Sequence, residues 1–185
     1  MIERKNEMVI WTLGHSTHSF DEFMRLLDLA CIRCIVDIRL YPGSKRYPQF
    51  NRENLNTELE KKEVRYIHMV DLGGRRVPKP DSSNIAWKNA AFRGYADYME
   101  TPTFITAVDE LQAIAEVSTT AVMCAEGLWW KCHRALVSDY LKMNGWKVMH
   151  IMPDAKQVEH PYTKAANIIH GKIDYTNSQG KLFPN

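Results

Sequence analysis

Apolar and polar positions along this chain follow two rhythms that take turns. MVIWTL (8–13) is a short run rich in Val, Ile and Trp and predicts a first strand. After GHSTHS, apolar residues recur at helical spacing (Phe20, Phe23, Leu26, Leu27, Ala30), and Ser19 with Glu22 makes a capping box, so a helix starts there. A nearly continuous apolar run at about 32–38 predicts a second strand, buried on both faces as in a parallel sheet. Asn51 opens a helix over 52–62, and VRYIHM (64–69) reads as a third strand.

Residues 71–93 are rich in Gly, Pro, Ser, Asn and Arg and predict a long functional or mobile loop, followed by a short helix near 93–100. Thr101 and Pro102 stand at the N-cap and first position of a further helix, whose stripe runs Phe104, Ala107, Val108, Leu111, Ile114, Ala115. TTAVMCA is a fourth strand, CHRALVSDYLKMN a helix closed by Gly145, and WKVMHIM a fifth strand. Beyond Pro153 the pattern fades; a short helix near 161–170 and a frayed tail NSQGKLFPN are expected.

Strands separated by helices predict one three-layer α/β domain across residues 1–185, with its core at about 8–152 and a C-terminal extension over 153–185. The sheet is expected to be mostly parallel and five-stranded, with helices on both faces. Such sheets bind ligands outside the carboxyl ends of their strands, so the residues that follow each strand become the candidates.

Composition narrows the class. With 185 residues there is room for one full core, and no apolar run approaches the roughly 20 residues of a membrane helix. The opening MIERKNEMVI lacks a signal-peptide core, so no membrane partner and a cytoplasmic setting are expected. Four cysteines are too few for a disulfide scaffold there. Cys31 and Cys34 spell CxxC, but they follow a helix and run into a strand, the reverse of a redox motif, so packing is the expected role. The net charge is only +2, yet residues 39–93 carry twelve Lys/Arg against six acids, and 94–126 carry six acids and no Lys or Arg. That polarity can draw an anion to one side, or can be two solvated faces.

The strand ends gather polar chemistry. Gly14, His15, Ser16 and Thr17 follow the first strand; Asp37 and Arg39 end the second, whose loop carries Ser44 and Arg46; His68 ends the third; Cys124 and Glu126 end the fourth; His150 ends the fifth. Singly, each is as readily a cap or a satisfied polar group. Together on one edge they predict a ligand site.

Its densest part is CAEGLWWKCHR (124–134), which bridges a strand and a helix start, where unpaired N–H groups and the helix dipole favour an anion. Arg134 is expected to clamp that anion, and the field to lower the pKa of Cys132 or Cys124 into a nucleophile. Glu126 with His15 or His133 would move protons. Trp129 and Trp130 either stack a planar ligand or plug a gap between helix and sheet, with one packed and one exposed expected. Cys124, Cys132, His133 and His15 contain enough soft ligands for zinc, but the cysteines lie too far apart for the familiar knuckles, and adjacent helical Cys and His diverge by about 100°. No cofactor is therefore expected, zinc being the one metal the set would suit.

GHST, VDIR with PGSKRYPQF, LGGRR, and CAE with CHR, in this order, resemble the bacterial and archaeal family called domain of unknown function 488, over about residues 10–160. The family's reaction is not established, so the resemblance implies positions and not an activity. Its recurring polar residues correspond here to Gly14, His15, Ser16, Asp37, Arg39, Ser44, Pro48, Phe50, Gly73, Cys124, Glu126, Cys132, His133 and Arg134.

The functional expectation is an enzyme, a cysteine-dependent hydrolase or transferase, acting on an anionic small molecule or nucleic-acid fragment. The alternatives are a non-catalytic nucleic-acid module using the basic 39–93 face with Tyr41, Tyr47, Phe50 and Trp87, and rhodanese-like sulfur transfer on Cys124. The comparison with rhodaneses and cysteine phosphatases is architectural only, because the loop after Cys124 is longer than theirs.

Overall fold

A computed structural model describes residues 7–176. The elements are β1 (Val9–Gly14), α1 (Phe20–Asp28), β2 (Cys34–Asp37), α2 (Arg52–Glu60), β3 (Arg65–His68), α3 (Ala90–Met99), α4 (Pro102–Val117), β4 (Thr120–Cys124), α5 (Arg134–Met143), β5 (Lys147–Ile151), β6 (Gln157–Glu159), β7 (Asn167–Ile169) and β8 (Lys172–Asp174).

Several boundaries follow from local chemistry. Ser19 and Glu22 exchange bonds as a capping box at α1, Ser19 N–H donating to Glu22 Oε2 at 2.7 Å. Thr101 caps α4, and Pro102 occupies a position that needs no N–H donor. Gly145 takes φ +89° just past α5, a left-handed conformation that suits glycine.

β1 to β6 form one sheet in the order β3-β2-β4-β1-β5-β6. The first five strands run parallel, and β6 is antiparallel to β5. The alternation of side chains divides the core in two. Leu13, Ile35, Ala121 and Met123 face α1 and α2, where Phe23, Leu27, Leu55 and Leu59 close one layer. Ile10, Val36, Val122 and Val148 face the other side, under Tyr95, Phe104, Leu111, Leu136 and Leu141 from α3, α4 and α5. The result is an α/β sandwich with helices on both faces of a mostly parallel sheet.

The sheet has six strands where five were expected. Chain reversal at 152–156 (Met152 N–H to Lys156 O, 2.8 Å; Ala155 at φ +68°) lays β6 along the β5 edge. The short helix expected near 161–170 is absent; β7 and β8 form a hairpin instead. Its two-residue turn, His170-Gly171, has positive φ at both positions (49° and 74°), the geometry that matches strand twist, and the flanking Ile168, Ile169 and Ile173 favour extended backbone. The tail NSQGKLFPN lies outside the described residues.

The long segment before α3 is tied down. Asp97 of α3 accepts from Lys79 N–H (2.8 Å), Ser82 O–H (2.6 Å) and Asn84 Nδ2–H (2.8 Å). Burial, the largest single effect, pushes the Asp97 carboxyl up, but the bonds from Ser82, Asn84 and Lys79 together outweigh it and hold it below the usual range. Among the described residues, no helix is long and apolar enough to cross a membrane.

Candidate active site

β1, β2 and β4 are neighbours running in one direction, so their carboxyl ends meet at one edge. β1 and β4 remain paired past their ends: His15 N–H donates to Cys124 O (3.0 Å) and Ser16 N–H to Ala125 O (2.9 Å). The approach is close enough to require Gly14, since a Cβ there would lie 1.8 Å from the Glu126 carbonyl oxygen.

Asp37, wholly buried, orients Arg39 with bonds from Nε (2.9 Å) and Nη2 (2.6 Å), and Tyr66 O–H donates to the same carboxylate at 2.7 Å. Burial and then the Asp37 charge push the Tyr66 phenol up, so it stays a donor. Arg39 Nη2 also donates to Phe50 O (2.8 Å), and Nη1 reaches His15 Nε2 at 3.2 Å. A guanidinium has five N–H groups, so one remains for the pocket that Arg39 lines.

His15 proves to be a seat for that arginine. Its Nδ1–H donates to Ser16 O (3.1 Å), which leaves Nε2 as the acceptor facing Arg39, and the ring stacks on Phe50 at 4.3 Å. Burial, reinforced by Arg39, lowers its pKa to about 4. A neutral imidazole with its lone pair already occupied is poorly placed to shuttle protons, contrary to the sequence expectation.

Cys124, Cys132 and His133 meet beside it, their ligating atoms all within 4.8 Å of one another. The helical-spacing argument against Cys132 and His133 converging fails because Cys132 lies before α5 in extended backbone (φ −131°, ψ 150°). His133 Nε2–H donates to Ile38 O (3.2 Å), so in the neutral ring Nδ1 is the acceptor, and it faces Cys132 Sγ at 3.6 Å. The Arg134 N–H, at the start of α5, also points to that sulfur (3.5 Å).

The two thiols are therefore unequal. Burial opposes ionisation of Cys132, but the Cys124 hydrogen bond, Arg134 and His133 outweigh it and hold its pKa well below that of a free thiol. Cys124, as donor to Cys132 and by burial, is held well above it. One thiolate and one thiol result. Two sulfurs and an imidazole in this arrangement could equally hold a metal ion.

This centre opens into a cavity of about 250 Å³. Arg39, Cys124, Glu126, Cys132 and His133, all singled out in the sequence, line it. Tyr41, Arg75, Phe92 and Lys131 line it too; Tyr41 was expected only in the nucleic-acid alternative and Lys131 only within CAEGLWWKCHR, while Arg75 and Phe92 were not among the candidate site residues. The LGGRR turn held a usable signal: a Cβ on Gly74 would sit 2.7 Å from His133 Nδ1, so a glycine there lets the loop close over the ring. For Phe92 no signal is visible in the sequence.

Other expected residues are elsewhere. Arg134, expected as an anion clamp, is only 1% exposed and turns inward, donating to Thr12 Oγ1 (3.3 Å) and to the Glu126 and Gly127 carbonyls. Ser16 and Thr17 lie in the turn before α1, off the cavity lining, with Ser16 at φ 49°. Ser44 accepts from Tyr47 N–H (3.1 Å), and Arg46 rests over the Tyr47 ring, also off the lining. Trp129 packs flat on His150 (4.6 Å), while Trp130 is 48% exposed. Cys31 is exposed, Cys34 is buried, and both are free.

Fold and site together define an α/β protein with a thiol–imidazole centre at the carboxyl edge of a mostly parallel sheet. The chain belongs to the family described as Domain of unknown function DUF488, which matches residues 19–141, more than half its length. No curated protein and no solved structure matches it.

Proposed function

We propose that this chain is a cysteine-dependent hydrolase or transferase acting on an anionic, phosphate-bearing ligand seated over Cys132. The observation that carries the reading is the Cys132–His133–Ile38 carbonyl file, a nucleophile, its base and the group that orients the base, opening on a cavity walled by Arg39, Arg75 and Lys131. These cations would hold the anion, and Tyr41 and Phe92 offer flat faces to a base or sugar.

The reaction needs only the ligand and water or an acceptor hydroxyl. Cys132, having already given its proton to His133 Nδ1 in the resting site, attacks the electrophilic centre of the ligand as the thiolate. A sulfur bond forms there as the bond to the leaving oxygen breaks, and that oxygen takes the proton from the imidazolium. Water, or an acceptor hydroxyl, then cleaves the thio-adduct, giving its proton to His133 Nδ1 as Cys132 leaves as the thiolate.

Purified protein should be stabilised against heat by inorganic phosphate or nucleoside monophosphates at low salt, and less so in Arg75→Ala and Lys131→Ala. Aryl phosphate or aryl ester turnover should vanish in Cys132→Ser. Full turnover in that variant would remove the nucleophile from the account. One equivalent of zinc would make the sulfurs ligands instead. Salt-sensitive DNA or RNA binding without turnover would favour a binding module. A persulfide on Cys124 after incubation with thiosulfate would favour sulfur transfer.

A further inference from the structure

A second polar cluster lies in the core beneath the cavity, and the chemistry above makes no use of it. Thr12 of β1, Arg134 and Asp139 of α5, His150 of β5 and His160 after β6 are each 1% exposed or less. Their bonds form a single file. Arg134 Nη1 meets Thr12 Oγ1 at 3.3 Å, Thr12 Oγ1 meets His150 Nδ1 at 2.7 Å, His150 Nε2 meets His160 Nδ1 at 2.9 Å, and His160 Nε2 meets Asp139 Oδ1 at 2.9 Å.

With neutral rings, the carboxylate end sets the direction of the file. A guanidinium can only donate and a carboxylate can only accept. Arg134 therefore donates to Thr12, Thr12 to His150, His150 through Nε2–H to His160, and His160 through Nε2–H to Asp139. In this direction each imidazole is the Nε2–H tautomer. Asp139 also accepts from Thr163 N–H (2.8 Å), Thr163 O–H (2.6 Å) and Tyr175 O–H (2.9 Å). Trp129 lies flat on His150 and edge-on to His160, sealing the file on the loop side.

Arg134 and Asp139 are buried on one helix and yet do not touch; the side chains of Thr12, His150 and His160 join them. Replacing buried charges with apolar residues often leaves a fold as stable or more so, so stability alone is a weak reason for such a file. Its donor end supplies a better one. Arg134 Nη2 holds the carbonyls of Glu126 and Gly127, in the loop whose Glu126 lines the cavity and whose end carries Cys132. With no carboxylate in contact among the described residues, the charge of Arg134 stays directed at that loop.

We propose that Asp139, acting through His160, His150 and Thr12, is a positioning residue that aims Arg134 and so holds the 125–132 wall of the cavity in place. The functional part rests on the cavity being the active site; the positioning part does not.

In wild-type protein, nitrogen NMR should find both His150 and His160 as neutral Nε2–H tautomers at pH 7. A Nδ1–H tautomer or a charged ring at either position would overturn the file. Thr12→Val removes the hydroxyl with little change of shape. Hydrogen exchange at the Lys131 and Cys132 amides, bonded within the loop turn at 3.1 and 3.2 Å, should then quicken at least about tenfold, the effect of losing a hydrogen bond to a charged group. Core β4 amides should keep their protection, and Thr12→Ser should restore wild-type exchange. Asp139→Asn should shift the His160 tautomer, because the carboxamide presents N–H groups where only acceptors fit, and should quicken the same amides. Wild-type loop exchange in folded Thr12→Val would overturn the proposal. If phosphate fails to stabilise even the wild type, the functional reading falls while tautomers and exchange still decide the positioning.

Discussion

Lowering the pH from 7 to about 5 should cost this fold far more than its surface charges would suggest. His15 and His150 are buried and neutral, with pKa values lowered to about 4 and about 2, chiefly by burial. In the unfolded chain an imidazole titrates near 6.5. Their stabilising contribution is thus complete above about pH 6.5 and is lost as pH falls toward the folded values, because only the unfolded chain binds the proton there. Over the roughly 1.5 units from 6.5 to 5, each side chain removes about 2 kcal/mol, so the pair removes roughly 4. For a domain of this size that corresponds to a fall in Tm of about 8–15 °C. Urea titrations followed by tryptophan fluorescence at both pH values would measure it, with proton NMR reporting the two rings. A difference under about 1 kcal/mol, or a charged His150 in folded protein at pH 5, would refute the reasoning.

Two mutations test the scaffold. Gly14→Ala forces a Cβ into the Glu126 carbonyl at 1.8 Å, where only backbone can yield, so urea unfolding should show a loss of at least about 2 kcal/mol and loop exchange should rise. Tyr66→Phe removes one donor from the buried Asp37 and should cost about 1–3 kcal/mol in the same assay, with weaker stabilisation by phosphate as Arg39 loosens.

The layered fold was legible because burial leaves a periodic trace: Phe23, Leu26 and Leu27 on α1, the near-continuous apolar run ending in Asp37, and the caps at Ser19 and Thr101 all read directly. β6 to β8 were not, since three-residue strands are too short to show a period. For the site, parallel strand ends identified Arg39, Cys124 and Glu126 as neighbours of Cys132 and His133. What the pattern did not carry was side-chain direction. Arg134 turns inward to Thr12 and the loop carbonyls, and His15 spends its lone pair on Arg39, because each must satisfy partners that only the packed structure brings near. Arg75 was read only within the charge count over residues 39–93, and Lys131 only within the CAEGLWWKCHR segment.

The central claim is a thiolate at Cys132 held beside a protonated Cys124, and the ultraviolet absorbance of thiolate, followed against pH, tests it without requiring a reagent to enter the cavity. One thiolate should already be present at pH 7 in the wild type, should persist in Cys124→Ser, whose hydroxyl can still donate, and should disappear in Cys132→Ser. A wild-type protein with no thiolate until the ordinary thiol range, near pH 8.5, would contradict the account.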